Sequence, residues 1–170
     1  MKRKNRMHRV ATILFALLLF SAIFASMVSA ENQINENQKP VLPRYIEKLD
    51  VNNSINVTPE RDFTVHMDSD IGNIGRYVTW ESESVTIPTT TLPYMYVASG
   101  LYWSSNGVSG WYLQGTAIDS GTSKSSVHAS SGMTVNQGGY YITMGSHSFN
   151  GLDGTPYGPY QTSSQVIHVN

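Results

Sequence analysis

Four carboxylates could supply the acid pair of a glycoside hydrolase: Glu81, Glu83, Asp119 and Asp153. Glu81 and Glu83 are two residues apart, so in a strand they would share one face, about 7 Å from each other. Inverting glycosidases separate their two carboxyl groups by about 6.5–9.5 Å. Neighbouring acids on an exposed strand more commonly keep a protein soluble, and the sequence has no Gly-x-Ser-x-Gly nucleophile motif. We therefore predict no catalytic residues and no enzymatic activity.

Histidine is the other residue type that could act as an acid, a base or a metal ligand. Four histidines follow residue 31: His66, His128, His147 and His168. Each lies on or near a predicted strand, mostly on the face opposite the apolar side chains. No two have the i, i+4 spacing of a helical metal site. We therefore predict solvent-facing histidines that bind no metal.

Asp68 and Asp70 begin a stretch that is similar to a calcium-binding loop. The EF-hand pattern requires an acid or amide at its fifth position and a glutamate at its twelfth. Counted from Asp68, these positions are Gly72 and Thr79, so the pattern fails. A looser calcium site at Asp68 and Asp70 remains an alternative, although we predict neither a metal nor another cofactor.

Aromatic residues are the most distinctive candidates for ligand binding. Residues 61–170 contain three Trp, nine Tyr and two Phe, but only three basic residues. Tyr and Trp combine a large rigid ring with a polar tip, which suits contact with sugars or proteins. Along 94–111 both faces of the predicted strands carry aromatic rings, so one face can fill the core while the other is exposed. We predict ligand contacts from five of these residues: Tyr102, Trp103, Tyr112, Tyr157 and Tyr160.

The first thirty residues have the three parts of a secretory signal peptide. Five basic residues lie within residues 2–9, an apolar run covers 10–28, and Val28-Ser29-Ala30 supplies small residues for cleavage between Ala30 and Glu31. The apolar run is also close to the ~20 residues of a membrane-spanning helix, so an uncleaved anchor is the alternative. The abrupt change to polar residues after Ala30 favours cleavage. We expect a secreted, extracellular protein without a membrane anchor, and the lack of cysteine favours a Gram-positive bacterial source.

Removal of this leader changes the charge of the protein. The whole chain has a net charge of −1, but residues 31–170 retain six basic and all twelve acidic residues, so their net charge is 6 − 12 = −6. Such a surface lacks the basic patch of a nucleic-acid-binding protein and would not be attracted to an anionic membrane. With no cysteine, the domain must depend on its apolar core.

Residues 31–60 and 61–170 differ in amino-acid composition and in their hydrophobic pattern. The first segment is rich in Asn, Gln and Glu and contains few large apolar residues, which predicts a disordered polar spacer. The second segment shows repeated period-2 alternation, for example at Phe63, Val65 and Met67, which is typical of half-buried strands. Its length suits one domain.

Turn signals divide residues 61–170 into strands. Ser105-Asn106-Gly107 is the strongest hairpin signal, while Asp119-Ser120-Gly121 and residues 136–139 predict further reversals. Residues 150–159 predict a longer loop. About seven strands at this spacing predict a single antiparallel β-sandwich, immunoglobulin-like or similar. Gly138-Gly139-Tyr140 before a strand is similar to the tyrosine corner of immunoglobulin-like sandwiches.

These features together favour a small secreted, non-enzymatic binding protein at the cell envelope or in the extracellular matrix. Its expected partner is a cell-wall polysaccharide or a surface protein. The first alternative is a secreted antagonistic factor, either bacteriocin-like or pore-forming, because the Ser/Thr-rich alternation over 116–134 is typical of barrel-lining hairpins. The second alternative is a hydrolase with an unrecognised site.

Overall fold

The computed structural model describes residues 41–49 and 53–170, and every regular element among them is a β-strand. The strands are β1 Tyr45–Lys48, β2 Ser54–Glu60, β3 Phe63–Ile74, β4 Tyr77–Ile87, β5 Leu92–Ser104, β6 Ser109–Lys124, β7 Ser126–Thr134, β8 Gly139–Asn150, β9 Pro156–Ser163 and β10 Ile167–Val169. The predicted all-β class is confirmed. A search of these same residues for a helix of membrane-spanning length and apolarity found none. The predicted leader 1–30, its cleavage site at Ala30 and Glu31, and residues 31–40 and 50–52 of the predicted spacer lie outside the described residues.

The strands form two antiparallel sheets. The six-stranded sheet has the order β1-β6-β5-β8-β10, with β9 also paired to β8, and the four-stranded sheet has the order β2-β3-β4-β7. Every pairing within them is antiparallel. The chain changes sheet after β1, after β4, after β6 and after β7, so strands that are neighbours in space are often distant in sequence.

The hydrophobic core contains residues from both sheets. Phe63, Val65 and Met67 alternate along β3 and are buried, as their period-2 pattern predicted. They belong to one cluster with Met95 of β5 and Phe149 of β8. A second cluster also joins the two sheets, through Ile71, Val78, Trp80, Leu101, Val135, Tyr141 and Val169. Each large apolar side chain buried in this way contributes about 1.5–3 kcal/mol to folding.

Two hairpins illustrate the local chemistry that sets the strand ends. The predicted hairpin at Asn106-Gly107 is confirmed, although residues 105–108 separate its strands and the turn is longer than a two-residue primed turn. The Asn106 side chain accepts hydrogen bonds from the backbone N–H groups of Val108 and Ser109, and Gly107 has φ 70°. The hairpin between β3 and β4 was not predicted. Its first turn residue, Gly75, has φ 60°, as a two-residue II′ turn requires.

Two segments of the predicted disordered spacer are strands, so that prediction is wrong for Tyr45–Lys48 and Ser54–Glu60. Strand β1 pairs with the start of β6, and β2 pairs with β3. Their composition is too polar to support an independent core, but pairing with existing strands satisfies their backbone groups. This is one reason why the described residues contain ten strands rather than about seven.

Two predicted turns are also parts of strands. Residues 119–121 lie inside β6, and residues 156–159 of the predicted loop begin β9. Both strands lie towards the outside of their sheet, where glycine, serine and proline disrupt few ladder hydrogen bonds. These two strand segments therefore have the amino-acid composition of turns, which is why composition alone predicted turns there.

The hydrogen bond expected from Tyr140 after Gly138-Gly139 is made by the next residue. Tyr141 Oη donates a hydrogen bond of 2.7 Å to the backbone oxygen of Gln137, four residues upstream at the start of β8. Tyr140 instead packs its ring against His168 of β10, at a centroid distance of 4.7 Å. The prediction was therefore wrong about Tyr140, and Tyr141 ties the start of β8 to the turn before it.

Candidate binding surface

Three aromatic rings form a row across neighbouring strands, which we call the aromatic strip: Tyr45 of β1, Tyr112 of β6 and Trp103 of β5. Their backbones are directly opposite one another in the sheet register. The Tyr45 and Tyr112 ring centroids are 5.0 Å apart, and those of Tyr112 and Trp103 are 6.5 Å apart. Register neighbours share one face of a sheet, so the three rings form a continuous aromatic surface.

The strip extends from the core to the edge of the six-stranded sheet. Trp103 is half-buried against the second core cluster, and its Nε1 donates to the backbone oxygen of Gly138 at 3.1 Å. Tyr112 and Tyr45 are 51% and 44% exposed. The inner ring is therefore held in place, while the two outer rings are open to a ligand.

A carboxylate lies at the outer end of the strip. Tyr45 Oη donates a hydrogen bond to Glu47 Oε2. This hydrogen bond is the main cause of a raised pKa of Tyr45, with smaller contributions from burial and from the Glu47 charge. The Tyr45 hydroxyl therefore stays protonated at neutral pH and holds its ring beside Glu47.

Tyr102, which was predicted to contact ligand, is fully buried. It belongs to a third cluster with Trp111, Ile142 and Met144 on the other face of the six-stranded sheet. Its Oη donates to the backbone oxygen of Pro43 at 2.7 Å, and burial raises its pKa. Adjacent positions of a strand face opposite sides, so Tyr102 and Trp103 could not both join the strip.

Tyr157 and Tyr160 lie on strand β9, not in the predicted loop. Their rings stack on Phe149 at centroid distances of 5.1 and 6.3 Å. Both are partly buried and pack against the first core cluster. The loop prediction gave these two rings no role in the core, yet the core is their main contact. Neither ring lies in the aromatic strip.

Of the carboxylates considered for catalysis or calcium binding, Glu81, Glu83, Asp68 and Asp70 lie on the outer face of the four-stranded sheet. Asp119 is on β6 of the other sheet, and Asp153 is in the loop between β8 and β9, so the four catalytic candidates are not brought together. Asp70 is opposite Glu81 and Asp68 is opposite Glu83 in the register of β3 and β4. Glu81 Oε2 is 3.0 Å from His128 Nε2. Over residues 41–49 and 53–170, no group of three or more His, Asp or Glu is placed to hold a metal ion.

Six buried polar side chains form a continuous hydrogen-bonded chain between the two sheets, which we call the buried polar chain. In bonding order they are Ser84, His147, Thr162, Ser69, Ser82 and Ser99. Three come from β3 and β4 of the four-stranded sheet, and three from β5, β8 and β9 of the six-stranded sheet. Their mutual bonds satisfy polar groups that would otherwise be expensive to bury.

His147 is the member of this chain that sequence reasoning placed wrongly. His128 and His168 are exposed and His66 is partly exposed, but His147 is fully buried. Its Nδ1 is 2.8 Å from Ser84 Oγ and its Nε2 is 2.7 Å from Thr162 Oγ1. Burial lowers its pKa to about 3. The available signal was its period-2 spacing from Phe149, which points to the same face.

Comparison of the chain with protein-family models found no matching family, and comparison with curated proteins found no matching relative.

Proposed function

We propose that this chain is a small exported, non-enzymatic binding protein that acts at the cell envelope or in the extracellular matrix. Its binding surface is the aromatic strip, and its ligand is a neutral polysaccharide. The observation that carries the proposal is the alignment of Tyr45, Tyr112 and Trp103 on one face, with the outer two rings about half exposed.

The strand order supports an immunoglobulin-like β-sandwich as the scaffold. In constant-type immunoglobulin domains one sheet contains strands A, B and E, and the other contains C, F and G. Strands β3, β4 and β7 share one sheet here, and β5, β8 and β9 share the other. The hydrogen bond from Tyr141 to Gln137 is at the corner before β8, where the F strand of such domains carries its tyrosine corner.

Charge supports the choice of a neutral ligand. Residues 31–170 contain six basic and twelve acidic residues, and this excess of negative charge opposes binding to an anionic polymer. The Glu47 carboxylate at the end of the strip adds to that effect. Aromatic rings contribute contact area without requiring charge on the ligand, and Glu47 can accept a hydrogen bond from a sugar hydroxyl.

The test is retention of the secreted protein on insoluble polysaccharides, namely purified cell wall, chitin and cellulose. We expect Tyr112→Ala and Tyr45→Ala each to reduce the retained fraction strongly, because each removes one exposed ring of the strip. The matched control is Tyr77→Ala, which removes a ring of similar exposure, 48%, from the four-stranded sheet. It should leave retention unchanged.

The same experiment can contradict the proposal. Equal losses from Tyr77→Ala and Tyr112→Ala would show that exposed aromatic area in general, and not the strip, causes retention. Binding to intact cells that is lost when the cells are treated with protease, with none to purified polysaccharide, would identify a surface protein as the partner. Leakage from liposomes or growth inhibition of neighbouring strains would favour the antagonistic alternative.

A further inference from the structure

Strand β6 is the longest strand among the described residues. Within that part of the chain, no strand pairs with most of its outer edge. Strand β1 covers only the first part of that edge, where Leu113 N donates to the backbone oxygen of Arg44 at 3.1 Å. Before Arg44 the chain turns onto the face of the sheet: Tyr102 Oη bonds to the Pro43 oxygen, and the Leu42 side chain lies over Gly100. Within the described part of the chain, the edge from 115 to 124 is therefore open.

The backbone groups that face this edge can be assigned. In a strand, residues with side chains on one face direct their N–H and C=O groups to one side. Leu113 pairs with Tyr102, and Thr116 pairs with Gly100. Because Tyr102 and Gly100 share a face of β5, Leu113 and Thr116 also share a face of β6, although the bulge at Gln114 lies between them. Since the Leu113 N–H points to the edge, Thr116, Ile118, Ser120 and Thr122 present their N–H and C=O groups there too.

The other sheet edges carry features that oppose strand addition, which natural proteins use to prevent edge pairing. Strand β2 contains Pro59, and β9 contains Pro156 and Pro159. On β7 the His128 N–H is already bonded to the Asp119 side chain at 2.9 Å. Strand β6 contains no proline, and Asp119 is turned towards β7. Between the bulge at Gln114 and Lys124 at its end, its edge therefore has neither the prolines nor the occupied N–H group of the other long edges.

We propose that the open edge of β6 pairs antiparallel with the same edge of a second copy of this chain, around a two-fold axis at Ile118. This pairing places Ile118 against the partner's Ile118, and Thr116 against the partner's Ser120. Hydroxyl pairs of this kind and apolar pairs both stabilise neighbouring strands. Each pair also exchanges two backbone hydrogen bonds, and Ile118, which is 63% exposed, becomes buried.

Strand β1 limits the registers that this pairing can take. With the axis at Ile118, the partner's Thr122 lies opposite Gln114, so the paired segment is 114–122 in each copy. The partner's Ser123 and Lys124 must leave the edge there, because Leu113 is already bonded to Arg44 and Tyr112 already pairs with Tyr45. An axis nearer the start of β6 would bring the partner strand into collision with β1. Because the two-fold axis makes the interface self-complementary, pairing stops at a dimer.

Charge exchange at Ile118 tests the proposal, with sedimentation velocity of the secreted protein over a concentration series as the assay. We expect the natural protein to dimerise. Ile118→Lys and Ile118→Glu should each raise the dimer Kd about tenfold or more, because like charges then face each other and the Ile118 burial is lost. An equimolar mixture of the two variants should dimerise again, since opposite charges meet at the axis.

A matched control is Ile87→Lys, which adds the same charge at an isoleucine of similar exposure, 56%, on β4. It should dimerise like the natural protein. Ser120→Pro removes one edge-facing N–H and should also give a monomer, with circular dichroism verifying its fold. A natural protein that remains monomeric at its solubility limit would overturn the proposal. So would a mixture that stays monomeric, or equal effects of Ile118→Lys and Ile87→Lys.

Discussion

Acid should destabilise this domain through His147. The imidazole is fully buried, and its two ring nitrogens bond to hydroxyl groups, those of Ser84 and Thr162. A neutral imidazole has one donor and one acceptor nitrogen, so it fits a chain in which every hydroxyl donates once and accepts once. Protonation would make both nitrogens donors and would place a positive charge in the interior without a carboxylate partner.

The size of the effect follows from the pKa of His147. Burial lowers that pKa from 6.5 to about 3, so the unfolded chain binds the proton more tightly than the folded chain. Stability is therefore unaffected by this group above about pH 6.5 and decreases as the pH falls, by about 1.4 kcal/mol per pH unit. The loss is about 3 kcal/mol between pH 6.5 and 4.5, and it approaches about 5 kcal/mol near pH 3. Small domains have total stabilities of about 5–15 kcal/mol.

The assay is denaturant unfolding of the protein at a series of pH values from about 7 to about 4.5. His147→Gln removes the titrating group, so we expect this variant to be less stable at pH 7 but to lose about 3 kcal/mol less than the natural protein over that range. His128→Gln is the control, because that histidine is exposed and its side chain pairs with Glu81 at the surface. Its pH dependence should differ little from that of the natural protein.

An equal pH dependence in the natural protein and His147→Gln would refute the reasoning, because the buried imidazole would then not be the titrating group. If His147→Gln does not fold, imidazole nitrogen chemical shifts of the natural protein provide the second measurement. We expect His147 to remain neutral at pH 4.5, whereas a protonated His147 in the folded state at that pH would contradict its assigned environment.

Three further predictions concern stability, each measured by denaturant unfolding at neutral pH. Gly145→Ala should destabilise the domain by about 1–3 kcal/mol, because its methyl group would lie 2.6 Å from two hydroxyl oxygens of the buried polar chain; an unchanged midpoint would contradict the packing there. Tyr141→Phe should cost about 1 kcal/mol by removing the hydrogen bond to Gln137, and no loss would mean that this bond is not formed in solution. Met67→Ala should cost about 2–5 kcal/mol, whereas Ile74→Ala, at an exposed position, should change stability by less than about 0.5 kcal/mol; equal effects would argue against the assigned core face.

Local sequence chemistry was sufficient where one residue decides a backbone conformation or one face is buried. The Asn106-Gly107 turn was predictable because its backbone needs a positive φ and a side-chain acceptor. The alternation from Phe63 to Met67 was predictable because only one face of β3 is buried. These signals act within a few residues and do not depend on the rest of the fold.

The pattern was ambiguous where both faces of a strand are buried. Strand β8 is buried along almost its whole length, since one face meets the four-stranded sheet and the other carries the third cluster. Period-2 alternation then cannot tell which side chains lie between the sheets. Ile142 and Met144 form the more apolar row of this strand and belong to the third cluster, whereas Tyr141 and His147 lie between the sheets.

By itself, then, the sequence determined an all-β chain, several of its turns and a concentration of aromatic residues suited to contact with a ligand. Only the tertiary structure decided which aromatic rings are buried in the core and which are exposed in the aromatic strip. Tyr102 and Trp103 are adjacent in sequence, yet one is buried in the third cluster and the other belongs to the aromatic strip. Tyr45, which completes the strip, comes from a segment whose composition predicted disorder. The physical reason is that register brings together residues far apart in sequence, and pairing with β6 orders a segment that could not bury enough apolar surface alone.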